Sequence, residues 1–250
     1  HYETGQTTEL YTPAGKTSPQ AEELDGSGKL GLPYTTASRE NDIANFELTT
    51  PAATNASGNF TTGVQEVTYY YRRKNAGKVT VHHYEVGGTT ELYTPAGKTS
   101  PQAEELDGSG KLGLPYVTTE KSADLSNYEL VTPAPTNAMG TFQSGEQTVT
   151  YYYKRKNAGS VIVHHYEVGQ TTELYTPAGA TSPSQEELDG TRKLGLPYTT
   201  QSRENDIANY ELTANPANAT GTFTTGVQEV TYFYKRKNAG NVVVNYLEQG

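Results

Sequence analysis

The amino-acid sequence predicts a β-rich α+β fold in which one small domain is repeated in tandem. The first supporting observation is internal repetition: Thr7–Tyr34 recurs unchanged as Thr89–Tyr116, and again with a few substitutions as Thr171–Tyr198. The second is composition, because only 33 % of the 250 residues are hydrophobic, which favours several small cores over a single large one. The third is the frequency of short β-branched and tyrosine-rich segments, which are typical of strands.

The repeats also predict where the domains begin and end. The sequence Lys-Asn-Ala-Gly closes each copy, at Lys74–Gly77, Lys156–Gly159 and Lys237–Gly240. The first copy lacks the beginning of its first strand, and a fourth copy starts after the third. The predicted domains are residues 1–77, 78–159 and 160–240, followed by the truncated start of a fourth repeat at 241–250.

The first half of the unit, taken from the second copy, opens with a clear strand. Val79–Glu85 is a run of β-branched and aromatic residues, and the two glycines that follow supply turn chemistry. Glu91–Thr94 predicts a short second strand, which Pro95 stops. Because Lys98–Gly110 has no clean periodicity, we expect a loop there with a short ordered piece.

The second half contains the predicted helical element and the strongest strand. Thr118–Leu125 joins Thr and Ser to acidic and a few apolar residues, which predicts one or two helical turns. Tyr128–Thr132 and a short segment around Phe142 predict strands, and Gln147–Lys156 is the strongest strand of the unit. Side chains alternate along a strand, so two sets should face opposite ways. One set is Val149, Tyr151 and Tyr153, and the other is Thr150, Tyr152 and Lys154.

A unit with four or five strands and a short helical piece fits a β-grasp (ubiquitin-like) fold. An immunoglobulin sandwich usually needs about 100 residues and seven strands. Only Asn157–Gly159 separates the last strand of one unit from the first strand of the next, which is too short for a flexible linker. We therefore expect tandem β-grasp repeats arranged end to end as an elongated rod, roughly 90 Å or more in length.

Several short motifs in a fixed order resemble the MucBP (mucin-binding protein) repeat of Gram-positive surface proteins. In the second copy they are Val79, Val81 and Tyr84; Leu114–Thr118; Asn127–Leu130; Asn137–Phe142; and Gln147–Tyr153. The resemblance covers every copy, and it implies a β-grasp-like module of a cell-wall-anchored adhesin that contacts mucin or other host glycoproteins. Two features depart from the family's pattern: Glu85–Gly88 replaces an acidic turn, and Thr89–Gly110 is longer than the usual loop.

Composition and charge exclude several classes of function. The absence of cysteine excludes a disulfide scaffold, cysteine-ligated zinc and thiol catalysis. The net charge of −9 removes the attraction on which nucleic-acid binding depends, and no apolar run approaches the length of a membrane span. We find no serine-nucleophile, phosphate-loop or zinc-protease motif, and therefore expect no enzyme activity and no cofactor.

Three features that could hold a metal or a crosslink have simpler explanations. The pairs His82-His83 and His164-His165 do not predict a metal site, because neighbours on a strand face opposite ways; a pH-sensitive contact at the domain junction is the alternative. The segment Glu105–Gly110 predicts an acidic turn rather than a calcium loop, since the third copy carries Arg192 there. Internal Lys–Asn crosslinks are not favoured, because Lys156 and Asn157 are adjacent and cannot bond to each other.

Tyrosines are the best candidates for ligand contact, because their rings can stack on sugars and their hydroxyls can form hydrogen bonds. The tyrosines that alternate inward along the last strand are expected to build the core instead. Those beside the Thr-Pro-Ala-Gly loop are expected to be exposed, and the predicted ligand-binding residues are Tyr11, Tyr93 and Tyr175.

Together these observations predict the repeat region of an extracellular, cell-wall-anchored adhesin. Each unit is expected to bind host mucin or another glycoprotein weakly and to gain strength by repetition. Two alternatives remain open: a passive stalk that projects a distal binding domain, and a filament or biofilm component that self-associates through exposed edge strands.

Overall fold

The computed structural model describes residues 1–49 and 53–247. Contacts divide the chain into two compact units, residues 1–121 with 132–152 and residues 122–131 with 153–250. The repeat boundaries inferred from the sequence stay predictions, and the last three residues of the expected fourth repeat lie outside the described residues. Within the described residues every regular element is a strand. These residues contain no helix that is long and apolar enough to cross a bilayer.

The strands recur in the same order in each repeat. The first repeat contains β1 (Tyr2–Glu3), β2 (Pro33–Thr35), β3 (Phe46–Leu48), β4 (Ser57–Asn59) and β5 (Tyr70–Arg73). The second contains β6 (Val79–Glu85), β7 (Glu104–Leu106), β8 (Pro115–Val117), β9 (Tyr128–Leu130), β10 (Met139–Thr141) and β11 (Gln147–Arg155). The third contains β12 (Val161–Glu167), β13 (Glu186–Leu188), β14 (Pro197–Thr199), β15 (Tyr210–Ala214), β16 (Thr220–Thr222) and β17 (Gln228–Arg236).

The main sheet of the third repeat has the strand order β13-β12-β17-β15. The first and last strands of the repeat, β12 and β17, run parallel at its centre, while β13 and β15 pair antiparallel at the edges. This mixed order, with the first and last strands side by side, is that of a β-grasp sheet. The second repeat has the equivalent order β7-β6-β11-β9, and the first repeat has β1-β5-β3. The prediction of β-rich tandem repeats is therefore confirmed.

A small two-stranded sheet, rather than a helix, covers the main sheet. In the third repeat β14 pairs with β16, and this sheet contributes Tyr198 while Phe223 follows it directly. The two rings meet edge to face with centroids 5.6 Å apart. Both belong to the core that also contains Val161, Val230 and Tyr232 of the main sheet. The hydrophobic core of the third repeat thus lies between a four-stranded and a two-stranded sheet.

The helical turns predicted for Thr118–Leu125 are wrong. Thr118 instead extends strand β8, because its N–H and its hydroxyl both donate to the carbonyl of Ala138, at 2.8 and 2.9 Å. Its hydroxyl also lies 2.8 Å from the hydroxyl of Tyr151. Tertiary contacts therefore hold the start of this segment extended, and only a turn at residues 122–124 remains.

Of two further predictions in the first half of the unit, the first is wrong and the second is confirmed. Glu91–Thr94 does not form a strand of its own; it makes a single bridge, between Glu91 and Tyr84 of β6. The short ordered piece expected within Lys98–Gly110 is the edge strand β7, which pairs with the start of β6. At the end of that stretch Asp107 accepts hydrogen bonds from the backbone and hydroxyl of Ser109, as expected for an acidic turn.

The connection that follows the second repeat is held by hydrogen bonds, as its shortness predicts. The Asn157 side-chain oxygen accepts from the N–H of Arg192 at 3.0 Å, and the N–H of Ala158 donates to the carbonyl of Gly190 at 2.9 Å. Packing here is so close that a Cβ on Gly190 would lie 2.4 Å from the carbonyl oxygen of Gly159. Only a residue without a side chain fits at Gly190.

Candidate functional site

The outward face of the main sheet carries aromatic side chains in every repeat. Because side chains alternate along β11, Tyr151 and Tyr153 are buried whereas Tyr152 points to solvent with 47 % of its surface exposed. The equivalent residues of the other repeats, Tyr70 and Phe233, are 49 % and 42 % exposed. The alternation predicted from the sequence is confirmed, and it leaves a large ring on the surface of each sheet.

The neighbouring first strand adds a second ring to each of these faces. In the third repeat Tyr166 of β12 pairs with Phe233 of β17, so the two side chains stand side by side on the same face. In the first repeat Tyr2 pairs with Tyr70 in the same way. Two residues earlier on β12, His164 stacks on Tyr166 with ring centroids 5.0 Å apart. We call this group the aromatic face. Its members are Tyr2 and Tyr70; His82, Tyr84 and Tyr152; and His164, Tyr166 and Phe233.

A glutamate lies beside each aromatic face and fixes its geometry. One oxygen of Glu173 lies 2.7 Å from Nδ1 of His164, and the other accepts the backbone N–H of His165 at 2.9 Å. The hydroxyl of Tyr166 lies 2.7 Å from the same imidazole nitrogen. Burial and the negative charge of Glu173 raise the pKa of Tyr166.

The same arrangement recurs in the second repeat, and its tyrosine and glutamate recur in the first. In the second, Glu91 lies 2.5 Å from Nδ1 of His82 and accepts the backbone N–H of His83 at 3.0 Å. Burial and Glu91 raise the pKa of Tyr84. In the first repeat, the hydrogen bond between Tyr2 and Glu9 raises the pKa of Tyr2. In the described part of the chain, each of the three repeats therefore places a glutamate beside the tyrosine of its first strand.

The opposite face of the first strand carries a buried histidine. His165 is fully buried and stacks on Tyr232, with ring centroids 5.4 Å apart. Burial lowers its pKa despite the nearby charge of Glu186, so the imidazole is neutral near pH 7. With Nε2 donating to Glu186 at 3.0 Å, Nδ1 accepts from the hydroxyl of Tyr234 at 2.9 Å. Burial raises the pKa of Tyr234 to about 12. The hydroxyl of Tyr234 accepts in turn from the backbone N–H of Arg203 at 2.8 Å.

The two histidines of each pair therefore have different surroundings. His164 faces outward and His165 inward, as the alternation of a strand predicts, and His82 and His83 repeat the pattern. Among the described residues there is no group of three side chains placed to hold a metal ion. Glu173 joins the two faces, because it contacts the outward imidazole and the backbone of the inward residue.

The three tyrosines predicted to bind ligand are half-buried rather than exposed. Tyr175 meets His165 edge to face with centroids 5.4 Å apart, and the guanidinium of Arg203 lies 4.9 Å from its ring centroid. Tyr93 and Tyr11 have the same surroundings, with a cation 4.7 and 5.0 Å from the ring, respectively. Their rings thus belong to the packing around the buried histidine, which restricts the surface they offer. Sequence reasoning overlooked the aromatic face, although the outward position of Tyr152 was evident from the alternation.

A shallow depression lies next to the aromatic face of the first repeat. Its volume is about 320 Å³, and Tyr70 forms part of its wall together with Leu48, Thr68 and Asn55. Its wall combines polar side chains with Leu48, Ala53 and one aromatic ring.

Comparison with known proteins identifies similar sequences and structures. The model of the MucBP domain matches three segments, residues 10–72, 78–154 and 174–235. The chain is 38 % identical over 228 residues to Internalin J of Listeria monocytogenes serovar 1/2a, and 35 % identical to Internalin J of serotype 4b. These matches cover 89 % of the chain but only 23 % and 22 % of the relatives, so the chain spans about a quarter of their length.

Solved repeat domains are also similar over part of the chain. One is the type 2 repeat of the mucus binding protein MUB from Lactobacillus reuteri, with 14 % identity and a TM-score of 0.22 over 64 % of this chain and 100 % of that one. Another is SHIRT domains 3-4 from a streptococcal cell surface protein, with 12 % identity and a TM-score of 0.27 over 65 % of this chain and 99 % of that one.

Proposed function

The chain belongs to the MucBP domain family, and from that premise we propose that it is the repeat region of an adhesin that binds host mucin or another host glycoprotein. The proposal places it outside the cell, on a wall-anchored surface protein. Each repeat contributes one weak site, and repetition supplies the strength of attachment.

One observation carries the proposal: each of the three repeats presents an aromatic face with a carboxylate beside it. Half-exposed rings offer a flat surface to the C–H groups of a sugar, and the hydroxyl and carboxylate groups offer partners to its hydroxyls. Such a face is open and shallow, so the affinity of one repeat should be low. Three linked faces that engage one mucin chain can exceed the affinity of a single face by about 10²- to 10⁴-fold.

The experiment compares binding to immobilised mucin by the unchanged chain and by a variant with all three exposed rings removed. That variant is Tyr70→Ala, Tyr152→Ala and Phe233→Ala, and we expect it to lose at least tenfold in apparent affinity because all three sites weaken together. Single substitutions should each have a smaller effect.

A matched control changes three exposed residues of the loop before the last strand, Val64→Ala, Glu146→Ala and Val227→Ala. This control should bind as the unchanged chain does, and circular dichroism should confirm that both variants are folded. Equal binding by the ring variant and the control would refute the role of the aromatic face. Absence of mucin binding by the unchanged chain would favour the passive stalk.

A further inference from the structure

The charges around the aromatic face restrict the kind of glycan that it can accept. On the outward face of the third repeat lie Glu173, in contact with His164, and the exposed Glu229, which is four residues before Phe233 on β17. Burial raises the pKa of Tyr166, and the negative charges of Glu173 and Glu229 raise it further. In the first repeat Glu9 and the exposed Glu66 act on Tyr2 in the same way.

Two residues beyond the exposed ring of each last strand, a cation on the same face forms an ion pair. Arg72 lies 2.7 Å from Glu47, Lys154 lies 3.2 Å from Glu129, and Lys235 lies 3.1 Å from Glu211. An anionic ligand would have to compete with these carboxylates for each cation, while the carboxylates beside the rings repel it. The chain as a whole carries a net charge of −9, which adds a repulsion of longer range.

We propose that the aromatic face selects uncharged glycans, and that sialic acid or sulfate on the sugar weakens binding. The inference rests on the proposed function, because it names the ligand class of the same site. Its chemistry is that of a neutral hexose or N-acetylhexosamine: a ring with an apolar face for Tyr166 and Phe233, and hydroxyls for the surrounding polar groups.

The three repeats differ at one of these charged positions, so they can be compared with one another. Where the first and third repeats carry Glu66 and Glu229, the second carries Thr148 at the same position. Discrimination against anionic sugars should therefore be weaker in the second repeat. It should also weaken when the two glutamates are made neutral, since an exposed glutamine at either position requires no change in the core.

The test uses serum albumin conjugated either with N-acetyllactosamine or with its sialylated form, and measures binding of the full chain to each. At low salt we expect binding to the neutral conjugate to be at least about fivefold tighter, and the ratio to shrink in 0.5 M NaCl as charges are screened. The variant Glu66→Gln with Glu229→Gln should keep its affinity for the neutral conjugate and bind the sialylated one more tightly than the unchanged chain does.

The possible outcomes separate the two proposals. Binding of the sialylated conjugate as tight as, or tighter than, that of the neutral one would overturn the inference about charge and leave the adhesin function intact. If the chain binds neither of the two conjugates and does not bind mucin, the proposed function is overturned and the inference with it. A preference for the neutral conjugate that neither salt nor the double variant alters would refute the electrostatic cause.

Discussion

The close packing at Gly190 leads to a sharp prediction about the connection between the second and third repeats. In Gly190→Ala, the new Cβ would lie 2.4 Å from the carbonyl oxygen of Gly159 and 2.6 Å from that of Ala158. Real Cβ contacts are never this short, so the backbone must separate. Overpacking of this kind costs about 1–3 kcal/mol, and the weakened hydrogen bond from Ala158 to Gly190 adds about 1 kcal/mol.

The expected loss is therefore about 2 kcal/mol or more in the free energy of unfolding. For a domain of this size it corresponds to a fall of roughly 8 °C or more in Tm, measurable by circular dichroism. The matched control is Gly226→Ala, because a Cβ there meets no atom within 4 Å. It should be neutral or stabilise the protein by up to about 1 kcal/mol through the unfolded state.

The second repeat offers an independent replicate of this experiment. A Cβ on Gly108 would lie 2.4 Å from the carbonyl oxygen of Gly77, whereas one on Gly145 would meet nothing within 4 Å. Gly108→Ala should therefore destabilise and Gly145→Ala should not. Equal melting temperatures within each pair would refute the idea that hydrogen-bonded glycine contacts lock the connections between repeats.

Three further predictions concern the buried histidine and the shape of the array. Because burial lowers the folded-state pKa of His165, this imidazole takes up a proton at a higher pH in the unfolded chain than in the folded one. Tm should therefore fall from pH 7 to pH 5. A constant Tm would contradict the buried neutral imidazole. Arg203→Lys should lower the free energy of unfolding, measured by urea denaturation, less than Arg203→Met does. The reason is that Lys121, the counterpart of Arg203 in the second repeat, pairs with Glu104 at 3.2 Å. Equal losses of stability would refute the importance of the charge. If the repeats lie end to end as the sequence predicts, small-angle X-ray scattering should give a maximum dimension of roughly 90 Å or more, and a markedly smaller value would refute that prediction.

The parts of the fold that depend on local patterns could be predicted from the sequence. Strands β6 and β11 and the alternation along β11 follow from β-branched and aromatic residues at a period of two, a signal contained in one short segment. The turn at Asp107 follows equally from local chemistry. In these segments local preference and tertiary structure agree, so the sequence alone was sufficient.

The parts that depend on distant contacts could not be predicted. The segment that begins at Thr118 has a composition typical of a helix start. The hydrogen bonds of Thr118 to Ala138 and its contact with Tyr151 hold the backbone extended instead. Tyr93 lies in a segment rich in turn residues, which suggested exposure, yet His83 and Lys121 cover it. Each of these partners is far away in the chain, and no local pattern reveals them.

The aromatic face was overlooked for the same reason, and its chemistry follows from a difference between the repeats. Its two rings come from the first and last strands of a repeat, which become neighbours only when the parallel pair at the centre of the sheet forms. At the exposed position of the last strand, Tyr70 and Tyr152 correspond to Phe233. A phenylalanine keeps the flat ring and lacks the hydroxyl, so what the three repeats share at this position is a stacking surface. Hydrogen bonding at the face must come instead from Tyr2, Tyr84 and Tyr166 on the first strand, each of which is bridged to a glutamate. Stacking by one strand and hydrogen bonding by its neighbour is a division of roles suited to a ligand with one apolar face and a rim of hydroxyls.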